Sequence, residues 1–236
     1  MSVKQACSDL GHGHSSRWGR AVAITVSVAL MLSGCASPGS ATFDELAAAM
    51  SQDSPGGSKV RTYASVADLL PGKRRSEASA EPAQAVVVAE VASLTEGKAY
   101  RIDNGGPDLT TLEFDSPDAQ WRDATLSVTV SEVIDAGTTN LAEGQAVSIR
   151  VIVPLEWQVE KIEAAYLSKP RVLIFLGRDA LSDSYRVLSG TGEFYLPLDK
   201  DEALDLSLLT PETRADLRDL PRSLDDVRKV VKDARG

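Results

Sequence analysis

Through the second half of the chain, apolar and polar residues alternate with a period of two. Leu126, Val128 and Val130 alternate with Thr125, Ser127, Thr129 and Ser131, which predicts a strand with one face in a core and the other toward water. Val147, Ile149, Val151 and Val153 repeat the pattern. Ala85-Val86-Val87-Val88-Ala89-Glu90-Val91 is β-branched and lacks helical caps, and so predicts another strand. Arg171-Val172-Leu173-Ile174-Phe175-Leu176 is apolar on both faces and reads as central. The last strand is Glu193-Phe194-Tyr195-Leu196-Pro197-Leu198, behind Gly190-Thr191-Gly192, whose glycines suit a turn or bulge. Turn clusters at Asp103 to Asp108, with Asn104-Gly105, and at Asp135 to Asn140 separate these runs. The pattern predicts a mainly β fold: a small closed or partly open antiparallel barrel of about five main strands, with peripheral helices and a C-terminal helix.

Two helices are predicted after the last strand. Thr210-Pro211-Glu212-Thr213 supplies an N-cap, a proline at the first helical position and an early acid. Ser223 and Asp226 approximate a capping box, and Leu224, Val227, Val230 and Val231 form an apolar stripe suited to packing on the barrel or, as the alternative, to a groove on a partner. Lys229, Lys232 and Arg235 suit the C-terminal end of the helix dipole.

The first third of the chain has a different grain. An apolar run from Ala21 to Leu32 follows Arg17 and Arg20 and ends at Leu32-Ser33-Gly34-Cys35. About a dozen apolar residues are too few for a spanning helix, which needs roughly 20, but suit an export signal. Beyond it, Ala36 to Gln84 is rich in Ser, Ala, Pro and Gly, with Phe43 to Met50 and Ser65 to Leu70 as short helical islands. The expected division is 1–34 signal peptide, 35–58 flexible tether, 59–84 short helix and linker, 85–200 β-barrel domain and 201–236 C-terminal helical segment. A chain starting near residue 58 is expected to fold by itself. As random coil, the whole tether would hold the barrel roughly 35 to 40 Å from its attachment point.

Composition changes the picture once the signal is set aside. Both histidines, His12 and His14, lie in it, as does Cys7. The signal carries a net +2, so the remainder goes from −9 to −11. That acidity disfavours a nucleic-acid partner, since the one dense basic run, Lys73-Arg74-Arg75, lies in the tether.

Without histidine or thiol there is no Ser-His-Asp triad, no Cys-His pair and no zinc site built from them. The acids of Asp199-Lys200-Asp201-Glu202 and Asp205 begin like a calcium loop, but Leu204 stands where an EF-hand needs glycine. No cofactor and no metal are expected. Trp121 and Trp157 are the candidates for contact with a partner, because aromatic rings stack on sugars and anchor interfaces, with packing in the core as the alternative for each. Both stand at strand ends, where loops gather.

Leu32-Ser33-Gly34-Cys35 resembles the lipobox of bacterial lipoproteins. The resemblance implies lipid attachment at Cys35, cleavage before it, and residence on the outer face of the cell membrane. The run of strands from Ala85-Val86-Val87-Val88 to Gly192-Glu193-Phe194, behind a short helix, resembles actinobacterial lipoproteins with an OB-like or netrin-like barrel. Netrin-like protease inhibitors use a free N-terminal cysteine and disulfides, and this chain departs on both counts. The expectation is a non-catalytic binding or adaptor module, anchored by lipid, for an envelope protein or a wall glycan. The alternative is a carboxylate-dependent wall glycoside hydrolase, which needs two acids facing across a cleft.

Overall fold

The computed structural model describes residues 41–53, 65–72, 82–103, 109–179, 184–190, 192–209, 211–217 and 219–236. Cys35, Lys73-Arg74-Arg75 and Asn104-Gly105 lie outside the described residues. The elements are α1 (Phe43–Asp53), a 3-10 turn (Val66–Asp68), β1 (Ala85–Ile102), β2 (Leu109–Leu112), β3 (Trp121–Asp135), β4 (Ala146–Val153), α2 (Val159–Leu167), β5 (Arg171–Arg178), β6 (Tyr185–Val187), β7 (Ser189–Gly190), β8 (Gly192–Glu193), β9 (Tyr195–Pro197), α3 (Pro211–Asp216) and α4 (Leu224–Arg235).

Seven strands form one sheet in the order β2-β1-β3-β4-β6-β5-β9, and β1 also pairs with β5. The pairings therefore run β1–β3–β4–β6–β5 and return to β1. The sheet is mixed, which corrects the expectation of a purely antiparallel one: β4 and β6 run parallel, with Ile149 opposite Tyr185. Strand parity requires it. Both β3 and β5 are antiparallel to β1, β4 reverses β3 and β6 reverses β5, so the last two share a direction.

Two cores explain why some strands alternate and others do not. Leu126, Val128, Val130, Ile149 and Val151 join Val87, Ala89, Val172 and Ile174 in one core, leaving the other side of β3 and β4 open. The opposite faces of β1 and β5 are covered too, since Val86, Val88, Leu173 and Phe175 pack with Leu69, Leu70, Leu224, Val227 and Val231 in a second core. Strands covered on both sides read as continuous apolar runs. The cover is α4, which starts at a complete capping box between Ser223 and Asp226. Arg228 locks it down with a bidentate pair to Glu132, at 3.0 and 2.7 Å.

Residues 41–53, expected inside the tether, belong to the fold. Phe43 and Leu46 are fully buried, and the Phe43 ring stacks on Tyr195 at 5.7 Å and meets Tyr166 edge-on. Thr42 and Glu45 exchange side-chain bonds to each other's backbone N–H at the helix start, a capping box. A chain starting at residue 58 would leave this aromatic nest without Phe43. The helix α2 was not predicted. Its buried side chains, Ile162, Ala165 and Tyr166, have helical spacing but stand among charged residues.

Candidate binding face

The side of β3 and β4 turned away from the first core carries a polar network centred on Asp123, which is itself buried, as are Tyr100 and Asp179. In β1 the register slips between Glu96 and Ala99, so Gly97 and Lys98 lie opposite the single residue Asp123. This is a β-bulge, and it aims a backbone N–H outward. Lys98 N–H donates to Asp123 Oδ1 at 2.9 Å, the Tyr100 hydroxyl donates to Oδ2 at 2.9 Å, and Arg150 donates to the same oxygen at 3.3 Å. Both Asp123 oxygens are thus occupied by donors. Burial and the adjacent carboxylate together push the Tyr100 hydroxyl up from its ordinary value of 10.0.

Arg150 continues the network. Its other terminal nitrogen donates to Asp179 Oδ1 at 2.7 Å, and Asp179 N–H donates to the Ser184 carbonyl at 3.3 Å. One guanidinium thus ties β3 and β4 to the base of the connection between β5 and β6. Its own side chain stays 27% exposed, so the network ends at the surface.

Aromatic and apolar groups flank this core. The Trp121 ring stacks on Tyr100 with centroids 5.8 Å apart and planes 21° apart. Ile152, directly opposite Asp123 in the β3–β4 register, is 51% exposed. A β-branched residue left that open within a strand is a candidate contact. Farther out, Ile102 and Leu109 face each other across the β1–β2 ladder, 42% and 40% exposed.

Trp157 has other neighbours. The Lys161 ammonium lies 3.7 Å from its ring centroid, and the ring packs against the first core. Buried Arg122 links the two sites: it donates to the Pro154 carbonyl at 2.9 and 2.7 Å and to the Trp157 carbonyl, with Phe114 stacked 4.3 Å from its guanidinium. Burial lowers the Arg122 pKa against the pull of Asp115 and Glu96. The structure therefore brings the backbones of Trp121 and Trp157 to one end of the sheet and gives their rings different surroundings.

Asp123, Arg150, Asp179, Tyr100 and Ile152 were not singled out from the sequence. The available signal was Arg150 and Ile152 occupying the polar-face positions of an otherwise plain alternating strand. The acids of the loop after β9 are engaged: Asp199 accepts the backbone N–H groups of Asp201 and Ala203, Glu202 pairs with Arg171 and Arg228, and Asp205 with Lys169. Among the described residues no three His, Cys, Asp or Glu cluster with metal-ligand geometry.

A cleft of about 300 Å³ lies between the turn after the 3-10 helix, the end of β3 and the end of α4. Its one lining carboxylate, Asp135, is bound in two places by Arg235. No helix among the described residues is long and apolar enough to cross a membrane. Compared with family models, curated proteins and solved structures, the chain matches none.

Proposed function

We propose that the chain is an extracytoplasmic lipoprotein, anchored through Cys35, whose sheet closes as a small OB-like barrel and serves as a non-catalytic binding or adaptor module. The order β1–β3–β4–β6–β5, with its parallel β4–β6 pair and with α2 between β4 and β5, the third and fourth of these five strands along the chain, supports the barrel reading. In such barrels the second and third strands and the loops after the first and fourth form the ligand face. Here those strands are β3 and β4, and they carry Trp121, Asp123, Arg150 and Ile152. That coincidence is the observation on which the proposal rests.

The ligand favoured by this face is an envelope protein. Trp, Tyr and Arg carry most binding energy at protein interfaces, and an exposed isoleucine beside them supplies apolar area that a sugar does not need. A wall glycan is the rival ligand. Lipidation supports retention at the membrane, since two acyl chains hold a protein where one gives only marginal binding.

The test is paired capture from solubilised membranes by the wild-type domain and by Ile152→Asp. Loss of a captured protein with unchanged thermal stability supports the proposal. Equal capture by both overturns it, and retention on purified wall polymer by the wild type alone would assign the face to glycan.

A further inference from the structure

We infer that the docked α1 holds the lipidated protein directly against the bilayer, with the junction of α1 and the α2–β5 turn as the membrane-facing surface. The inference rests on the lipoprotein reading of Cys35 and adds to it a height and an orientation.

Chain length sets the height. Only five residues separate Cys35 from Ala41, and at Ala41 to Ala47 the chain is already packed into the fold. Ala41, Phe43 and Leu46 are buried, the Phe43 N–H donates to Ser168 Oγ at 3.2 Å, and Lys169 reaches Asp44 at 3.4 Å. At no more than about 3.6 Å per residue, the lipidated cysteine lies within roughly 22 Å of Ala41 whatever path the intervening chain takes. A chain loose as far as Gln84 would instead set the domain roughly 35 to 40 Å away. Docking of α1 converts a long leash into a short one.

The same contacts fix which side faces the lipid. Ser168 and Lys169 follow α2 directly, and Leu167 beside them is 42% exposed, an apolar side chain at the surface nearest the anchor. Exposed Asp44 and Glu45 in the first turn of α1 oppose attraction to anionic headgroups, so the acyl chains and the short leash supply the contact. The far end of the β1–β5 ladder points away. Val91 N–H bonds to the Pro170 carbonyl at the near end, whereas Thr138 bonds to Gln84 just before β1 begins, about 20 Å along the strand.

Cys7 leaves with the signal and Cys35 carries the lipid, so the mature chain has no free thiol and single cysteines can report the height. Leu167→Cys and Thr138→Cys are each labelled with a fluorescent donor in the full lipidated chain, in phosphatidylcholine and phosphatidylglycerol vesicles carrying a headgroup acceptor. Energy transfer at least twofold stronger from position 167 than from position 138 is expected. Inserting about 40 Gly-Ser residues just before Ala41 should cut transfer from position 167 by at least half, because the leash then averages roughly 35 to 40 Å. Equally weak transfer from both positions, or transfer from 167 that ignores the insertion, overturns the inference while leaving lipidation standing. Absence of labelled fatty acid on the wild-type chain overturns the lipoprotein reading and this inference together.

Discussion

Gly97 has no room for a side chain because of Asp123: a Cβ on Gly97 would stand 2.1 Å from Asp123 Oδ1 and 2.7 Å from its carbonyl oxygen. Half of that contact is backbone and cannot swing aside. The bulge in β1 and the carboxylate in β3 are therefore one device, since the slip that frees Lys98 N–H from the strand ladder also brings the strand against the carboxylate that accepts from it. Gly97→Ala is expected to destabilise the domain by about 1–3 kcal/mol, the usual cost of overpacking. It should also displace Asp123 and weaken partner capture beyond what lost stability explains. Urea denaturation beside capture measures both, and a variant as stable as wild type would mean that the bulge is not as tight as described.

Truncating Asp123 tests the network from the other side. Asp123→Ala removes the acceptor for three donors and leaves Arg150 with Asp179 alone. Because unmade hydrogen bonds cost the desolvation of the orphaned groups, a loss of about 1–3 kcal/mol is expected. The Tyr100 hydroxyl, now without its carboxylate, should titrate at lower pH than in the wild type. Ultraviolet titration of the phenolate checks the direction.

The helix α1 gives a sharper contrast between sequence and structure. Phe43→Ala should cost about 3–5 kcal/mol, as for a fully buried aromatic in a core, and a chain starting at residue 58 should melt well below one starting at Ser37. A residue in a flexible tether would change neither. Thermal melts of the two chains and the point variant decide between these outcomes.

The strands were legible because burial on one face leaves a period of two and burial on both leaves an apolar run; Leu126 to Val130 and Val172 to Leu176 show the two cases. The stripe of α4 was legible for the same reason, together with Ser223 and Asp226 at its start. What stayed hidden depends on partners distant in sequence. Phe43 is one aromatic in a stretch of alanine and serine, and only Tyr166 and Tyr195, more than a hundred residues away, make it core. Asp123 and Arg150 read as ordinary solvent-side polar residues until the fold sets them against Tyr100 and Asp179. The parallel β4–β6 pair follows from strand parity, which local pattern does not carry.

Asp205 predicts how the domain responds to acid. Burial by itself would raise its pKa, but hydrogen bonds from Lys169 and from Ser207 N–H outweigh that and hold it below the ordinary 3.8. A carboxyl depressed by folding contributes stability that is present above its unfolded value and lost as pH falls through the folded one. Stability should therefore decline as pH drops below about 3.8. Asp205→Asn should be less stable at neutral pH and show a shallower decline in acid. Lys169 moves the opposite way: burial opposes charge there too, yet Asp205 and Asp44 raise its pKa above 10.5, so its contribution should fade only as pH rises beyond that value. Denaturation at a series of pH values follows both limbs.

The two tryptophans should respond differently to truncation. The Trp121 ring lies on Tyr100 at the open face, partly exposed, with the Asp123 network beside it. Trp121→Ala removes contact area from that face and uncovers the phenol, but leaves the first core intact. Its expected signature is at least a tenfold loss of partner affinity with a stability change under about 1.5 kcal/mol, the range of an aromatic pair at a surface. Trp157 packs against the first core, with Lys161 over its ring and Arg122 on its carbonyl. Trp157→Ala should therefore cost stability first, about 2–4 kcal/mol for a ring that is packed but not fully buried, and affinity only as far as that end of the sheet loosens. Binding isotherms measured beside melts for the two variants separate the roles. If Trp157→Ala binds weakly at unchanged stability while Trp121→Ala binds normally, the contact surface lies at the end of β4 and not on the open face around Asp123.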